Sequence, residues 1–88
     1  MSNPTTGTDR PDAQALQEWV SDACRGLGLD LPDPENDFFE SGGTSLTAIR
    51  LISRAEEVFG EDALPPEDLF AHSTVREIAA AIDRNTRS

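Results

Sequence analysis

Apolar residues recur at spacings of three and four in three separate stretches of the chain. Leu16, Trp19, Val20, Ala23 and Leu27 form the first stripe, which predicts a helix opening near Pro11 and stopped by Gly26 and Gly28. Leu46, Ile49, Ile52, Ala55 and Phe59 form the second, running from Ser45 to Gly60 with no glycine or proline inside it. Val75, Ile78, Ala79 and Ile82 form the third, behind Thr74 and Glu77, whose spacing is that of a capping box. Pro65 and Pro66 open a short turn containing Leu69 and Phe70, which predicts a brief helix between the second and last stripes. No alternating run is long enough for a strand. The expected fold is therefore all-α: a four-helix bundle with a short third helix and a long loop between helices one and two.

That loop, Asp30 to Gly43, holds two prolines, two glycines and five acidic residues, with the aromatic pair Phe38 and Phe39 to pin it. It should be anionic and ordered. Residues 1–9 are dominated by Ser, Thr, Asn, Gly and Pro without apolar periodicity, and read as a tail. The expected organisation is one domain over 10–84, with 85–88 as a C-terminal tail.

An 88-residue chain has room for one small core and not for an enclosed active site. Its seven basic residues, all arginine, stand against seventeen acidic ones, a net charge of -10. Such a surface repels nucleic acid and anionic lipid and suits basic protein partners. Cys24 is the single cysteine and lies in register with the first apolar stripe, so it reads as a core residue rather than half of a disulfide. No apolar run in the chain reaches membrane-spanning length and Met1 to Thr8 lacks the apolar core of a signal peptide, so a cytoplasmic protein is expected. Cysteine and histidine lack metal-ligand spacing.

The segment Asp37-Phe38-Phe39-Glu40-Ser41-Gly42-Gly43-Thr44-Ser45-Leu46 puts a serine hydroxyl at a helix start, directly after two residues without side chains. A phosphodiester on Ser45 would face unpaired N–H groups and the positive end of the helix dipole, worth ~0.3 to 1 kcal/mol at an exposed site. Gly42 and Gly43 would leave room for another protein to reach it. On these residues alone, Ser45 or Thr44 acting simply as an N-cap is the competing reading. A hydrolase elbow fails because Thr47 stands where its second glycine belongs. His72, the only histidine, falls in the turn before the last helix, a place for a cap or a solvent-exposed ring. A calcium loop from Asp33 fails because Phe38 replaces its glycine and Thr44 its closing glutamate.

The same segment resembles the modification site of the acyl and peptidyl carrier protein family: Asp-Phe-Phe, then Gly-Gly-Xaa-Ser-Leu, then a helix ending Glu-Glu-Val-Phe-Gly. Leu69-Phe70 and Ser73-Thr74-Val75 leading to Ile78-Ala79 resemble the family's third and fourth helices, so the likeness spans about residues 12 to 83. It implies a non-catalytic carrier whose Ser45 is esterified with 4'-phosphopantetheine by a transferase using coenzyme A and magnesium. The arm's thiol would hold an acyl or aminoacyl group as a thioester, and the tether would raise its concentration at each docked enzyme.

Gly-Gly, a residue other than aspartate, then Ser-Leu resembles the peptidyl carriers of nonribosomal peptide synthesis. Here the intervening residue is Thr44, where peptidyl carriers more often have histidine and fatty-acid or polyketide carriers aspartate. The resemblance implies a peptidyl carrier working with adenylation, condensation or thioesterase-type enzymes; a free-standing monomer is expected from the tail and the stop after the last helix, with an excised module as the alternative. An acyl carrier of polyketide or fatty-acid synthesis and a non-carrier helical interaction domain are the alternatives. It also implies a docking face at Leu46, Arg50, Ser53 and Glu56, next to Gly43 and Thr44. Arg50 and Arg54 argue against a purely acidic docking mode; for Arg54, a solvated place beside Glu56 and Glu57 is the plain alternative. Acids in the loop and at Glu61, Asp62, Glu67 and Asp68 flank this helix and could steer basic rims.

Overall fold

The computed structural model describes residues 12–86, which form α1 (Ala13–Gly26), α2 (Ser45–Phe59), α3 (Pro66–Ala71) and α4 (Val75–Thr86). α1 starts behind the carboxylate of Asp12, which accepts the Ala15 N–H at 2.8 Å. The start is thus an aspartate cap rather than Pro11, which lies outside the described residues together with the expected tail 1–9. At the other end Gly28, at φ 91, lets its own N–H return to Arg25 O at 3.0 Å and that of Leu29 to Cys24 O at 2.9 Å. This paired closure turns Leu29 into the core. Pro65 and Pro66 open α3 as expected, and His72 closes it. The capping box of α4 is complete: Glu77 N–H donates to Thr74 Oγ1 at 3.1 Å and Thr74 N–H to Glu77 Oε1 at 3.2 Å.

α1 and α4 make the most extensive helix–helix contact, and α2 and α3 close the bundle around them. Leu16, Val20, Leu51, Leu69, Ile78 and Ile82 meet Phe38 from the loop in one buried cluster. Each such side chain contributes about 1.5–3 kcal/mol by leaving water. Cys24 belongs to the same cluster, and burial pushes its thiol up to about 12. Among the described residues no polar or charged side chain is fully buried, and no helix is long and apolar enough to cross a membrane.

Two expectations change. The second apolar stripe divides: Ala48, Leu51, Ile52 and Ala55 face the core, whereas Leu46 and Ile49 are 61% and 58% exposed. Ala48, Leu51, Ile52 and Ala55 already make a complete run at spacings of three and four, so Leu46 and Ile49 fall on the opposite side. At the C-terminus Asn85 and Thr86 belong to α4, not to a tail at 85–88. Asn85 Nδ2 donates to Ala63 O at 3.2 Å and Asp68 Oδ2 at 2.9 Å, and Thr86 Oγ1 donates to Ile82 O at 2.7 Å. The two Asn85 bonds hold the last turn against α3 and the segment before it, and the Thr86 bond closes the turn on itself; Arg87 and Ser88 lie outside the described residues.

Candidate functional site

The loop before α2 is anchored to the start of α4 by both backbone and side chain. Phe38 N–H donates to Ser73 O at 2.7 Å, Val75 N–H to Asn36 O at 3.1 Å, and Arg76 N–H to Pro34 O at 2.9 Å. Asp37 ties the two segments together: Oδ2 accepts the N–H groups of Phe39 and Glu40 at 2.9 Å each, and Oδ1 accepts the Ser73 hydroxyl at 2.9 Å. Glu35 and Arg76 add an ion pair. The loop therefore has one arrangement, with Phe38 driven into the core. Phe39 meets Phe38 edge-on and stacks on Phe70 of α3 with ring centroids 5.4 Å apart.

Backbone conformation at one and packing at the other account for the two glycines before Thr44. Gly42 stands at φ 110, where a side chain is strained. A Cβ on Gly43 would lie 2.5 Å from the Phe38 ring and 2.7 Å from its carbonyl oxygen. The bare approach to the helix start is thus a by-product of close packing on Phe38.

The choice of cap decides what Ser45 can do. Thr44, extended at φ -119, is the N-cap: its Oγ1 accepts the Thr47 N–H at 3.2 Å and its carbonyl the Ala48 N–H at 2.8 Å. Ser45 is therefore the first helical residue, and it is exposed. Its hydroxyl makes no hydrogen bond among the described residues, and the N–H groups of Ser45 and Leu46 have no acceptor there. The first turn of α2 carries no acidic residue. A free hydroxyl, two free N–H groups and the positive helix end fit an attached phosphodiester. Among the described residues no base is bonded to the hydroxyl: His72 is exposed at the end of α3, with Nδ1 3.5 Å from Glu77 Oε2. Such a hydroxyl can accept a group from an external catalyst but cannot activate itself.

Of the expected docking residues, Thr44, Leu46, Arg50, Ser53 and Glu56 are exposed, and Gly43 is half-buried over Phe38. Ile49 joins this face and was missed, because its spacing is also that of the buried stripe. Part of the loop's acidity has internal work, since Asp33 Oδ1 accepts the Glu35 N–H at 2.8 Å and Asp37 holds the α4 anchor. Among the described residues no cluster of His, Cys, Asp and Glu could hold a metal ion.

A family model described as a phosphopantetheine attachment site matches residues 18–82. The chain is 34% identical over 83 residues to the phosphinothricin tripeptide synthetase PhsC of Streptomyces viridochromogenes, covering 93% of this chain and 8% of that protein. It is 38% identical over 81 residues to D-lysergyl-peptide-synthetase subunit 1 of Claviceps purpurea, covering 88% of this chain and 2% of that one. It thus spans less than a tenth of the length of these relatives. Its fold is similar to the solution structure of a non-covalent extended docking domain complex of the Pax NRPS, PaxA T1-CDD/PaxB NDD. The TM-score is 0.71 at 29% identity, covering 97% of this chain and 81% of that one.

Proposed function

Because this chain belongs to the phosphopantetheine attachment site family, whose prosthetic group is a covalently attached 4'-phosphopantetheine, we propose that Ser45 Oγ is the atom esterified. The observation that carries this reading is the division of labour at the start of α2. Thr44 supplies the cap, so the neighbouring hydroxyl is left exposed and without a partner among the described residues. A phosphopantetheinyl transferase supplies the missing base, and Ser45 Oγ displaces the nucleotide half of coenzyme A as 3',5'-adenosine bisphosphate while its proton passes to the enzyme. When attached, the arm offers a terminal thiol that holds an acyl group as a thioester.

The chain's own residues then do three things: hold the phosphodiester at the free N–H groups of α2, keep the loop in one arrangement, and present Leu46, Ile49 and Arg50 to partners. The domain is a carrier of the nonribosomal peptide synthetase type, and we take its cargo to be an aminoacyl or peptidyl group. Likeness to PhsC and to the lysergyl-peptide synthetase supports this, as does Arg50 on an α2 face that is not purely acidic. Partners would be adenylation, condensation or thioesterase-type enzymes, in the cytoplasm. Loading the phosphopantetheinylated protein with amino-acid adenylation enzymes and, in parallel, with malonyl transferases tests this choice of cargo. Aminoacyl thioester should accumulate; malonyl loading without aminoacyl loading would refute the peptidyl assignment.

A further inference from the structure

We infer that the groove between α1 and α2 docks an acidic, apolar-faced segment of a partner polypeptide. This rests on the carrier reading and deepens it, since the groove shares Ile49 and Arg50 with the docking face, adds a second wall on α1 and does not include Ser45. Five arginines lie among the described residues. Arg25 pairs with Asp22, Arg76 with Glu35 and Arg84 with Asp68. Arg50 and Arg54 pair with no acid among the described residues, although acids outnumber bases seventeen to seven in the chain. They stand one turn apart on α2, which places them on the same side of the helix.

Both line a cleft of about 500 Å³ with Leu27, which follows the last residue of α1, and with Ile49, Ser53 and Glu57 of α2. Arg54 and Glu57 also line a second cleft of about 270 Å³, whose walls include Trp19 and Asp22 of α1 and Val58 of α2, with Asp22 paired to Arg25. Arg54 therefore stands at the junction of one longer groove, with its guanidinium over Gly26 at the end of α1. Ile49 and Val58 are 58% and 59% exposed, so each end of the groove offers an aliphatic side chain to a visitor.

The charge decides the occupant. A molecule at -10 repels acidic chains everywhere except where its cations are unpaired, and here that place is also apolar. Carboxylates of the segment would meet Arg50 and Arg54, and its aliphatic side chains would meet Leu27, Ile49 and Val58. Glu57, at the centre, and Asp22, on the α1 wall, set the limit: a segment that is acidic along its whole length would be repelled there, whereas one with its carboxylates at the edge of an apolar face is not.

The test is a titration of the full ¹⁵N-labelled chain, followed by amide chemical shifts, with a synthetic amphipathic peptide of glutamate and leucine. The same peptide with glutamine for glutamate serves as the comparison. The Glu/Leu peptide should move Leu27, Ile49, Ser53 and Arg54, and should bind about tenfold more weakly to the Arg50→Glu/Arg54→Glu protein and at raised salt. An Arg76→Glu/Arg84→Glu protein carries the same added charge elsewhere and should bind as the parent does. Shifts that miss the groove, equal binding of the glutamine peptide, or equal weakening by both double substitutions would overturn the proposal. Modification of Ser45 in the parent protein, read by intact mass in a separate experiment, keeps this outcome separate from that of the carrier reading.

Discussion

Gly43 lies so close over Phe38 that a Cβ on it would stand 2.5 Å from both Cδ2 and Cε2 of the ring. The contact joins the buried anchor of the loop to the residue that precedes the α2 cap. Gly43→Ala must move either the ring or the helix start, and overpacking of this kind costs about 1–3 kcal/mol. Urea unfolding should show that loss, and a Phe38→Leu background should shrink the cost of the added methyl group. A Gly43→Ala protein as stable as the parent would contradict the packing account.

Asp37 accepts three hydrogen bonds, from Phe39 N–H, Glu40 N–H and the Ser73 hydroxyl. Asp37→Ala leaves the two partly buried donors without an acceptor, which costs about 1–3 kcal/mol. Asp37→Asn keeps one oxygen and should fall between the two. In a double-mutant cycle, Ser73→Ala should cost less once Asp37 is gone. Additive losses would show that the bond between them does not hold the loop to α4.

Much of this was legible in the sequence because it is local. The Thr74–Glu77 box, Pro66 at the start of α3 and the Cys24 register all follow from spacing along one element. What could not be read depended on the other elements. Ile49 has the spacing of a buried residue, and only the core cluster that takes in Leu51 and Ala55 leaves it facing outward. Gly43 reads as an open approach until Phe38 is placed beneath it. Asn85 and Thr86 read as a polar tail until their side chains find Ala63, Asp68 and Ile82 across and along the helices. Ser45 itself was visible, but which of two adjacent hydroxyls caps the helix is a matter of backbone geometry.

The N–H and hydroxyl of Thr74 hold the Glu77 carboxyl below its ordinary 4.5, with the charge of His72 adding to the effect. A carboxyl lowered on folding stabilises the fold above its unfolded value and loses that contribution as pH falls through the lowered one. Exposure and solvent screening keep the contribution small. Unfolding followed from neutral pH down to about pH 3 should show the parent's advantage over Glu77→Gln largest near neutrality and closing in acid. A gap that does not change with pH would contradict the assignment.

Burial pushes the Cys24 thiol up to about 12, so little thiolate exists at neutral pH and none of it is accessible. Iodoacetamide should therefore label the folded chain slowly and the urea-unfolded chain fast. Because the thiol is raised from 9.0, the fold should also lose stability as pH climbs from there toward about 12. Rapid labelling of the folded chain would place Cys24 outside the core.

The central claim is that Thr44 caps α2 so that Ser45 is free to be esterified, and intact-mass spectrometry tests it most directly. The parent, Ser45→Ala and Thr44→Ala proteins are each incubated with coenzyme A, magnesium and a broad-specificity phosphopantetheinyl transferase. The account predicts one added arm on the parent, none on Ser45→Ala, and one on Thr44→Ala in spite of a weaker helix start. No added mass on the parent, or an arm that persists in Ser45→Ala, would contradict it.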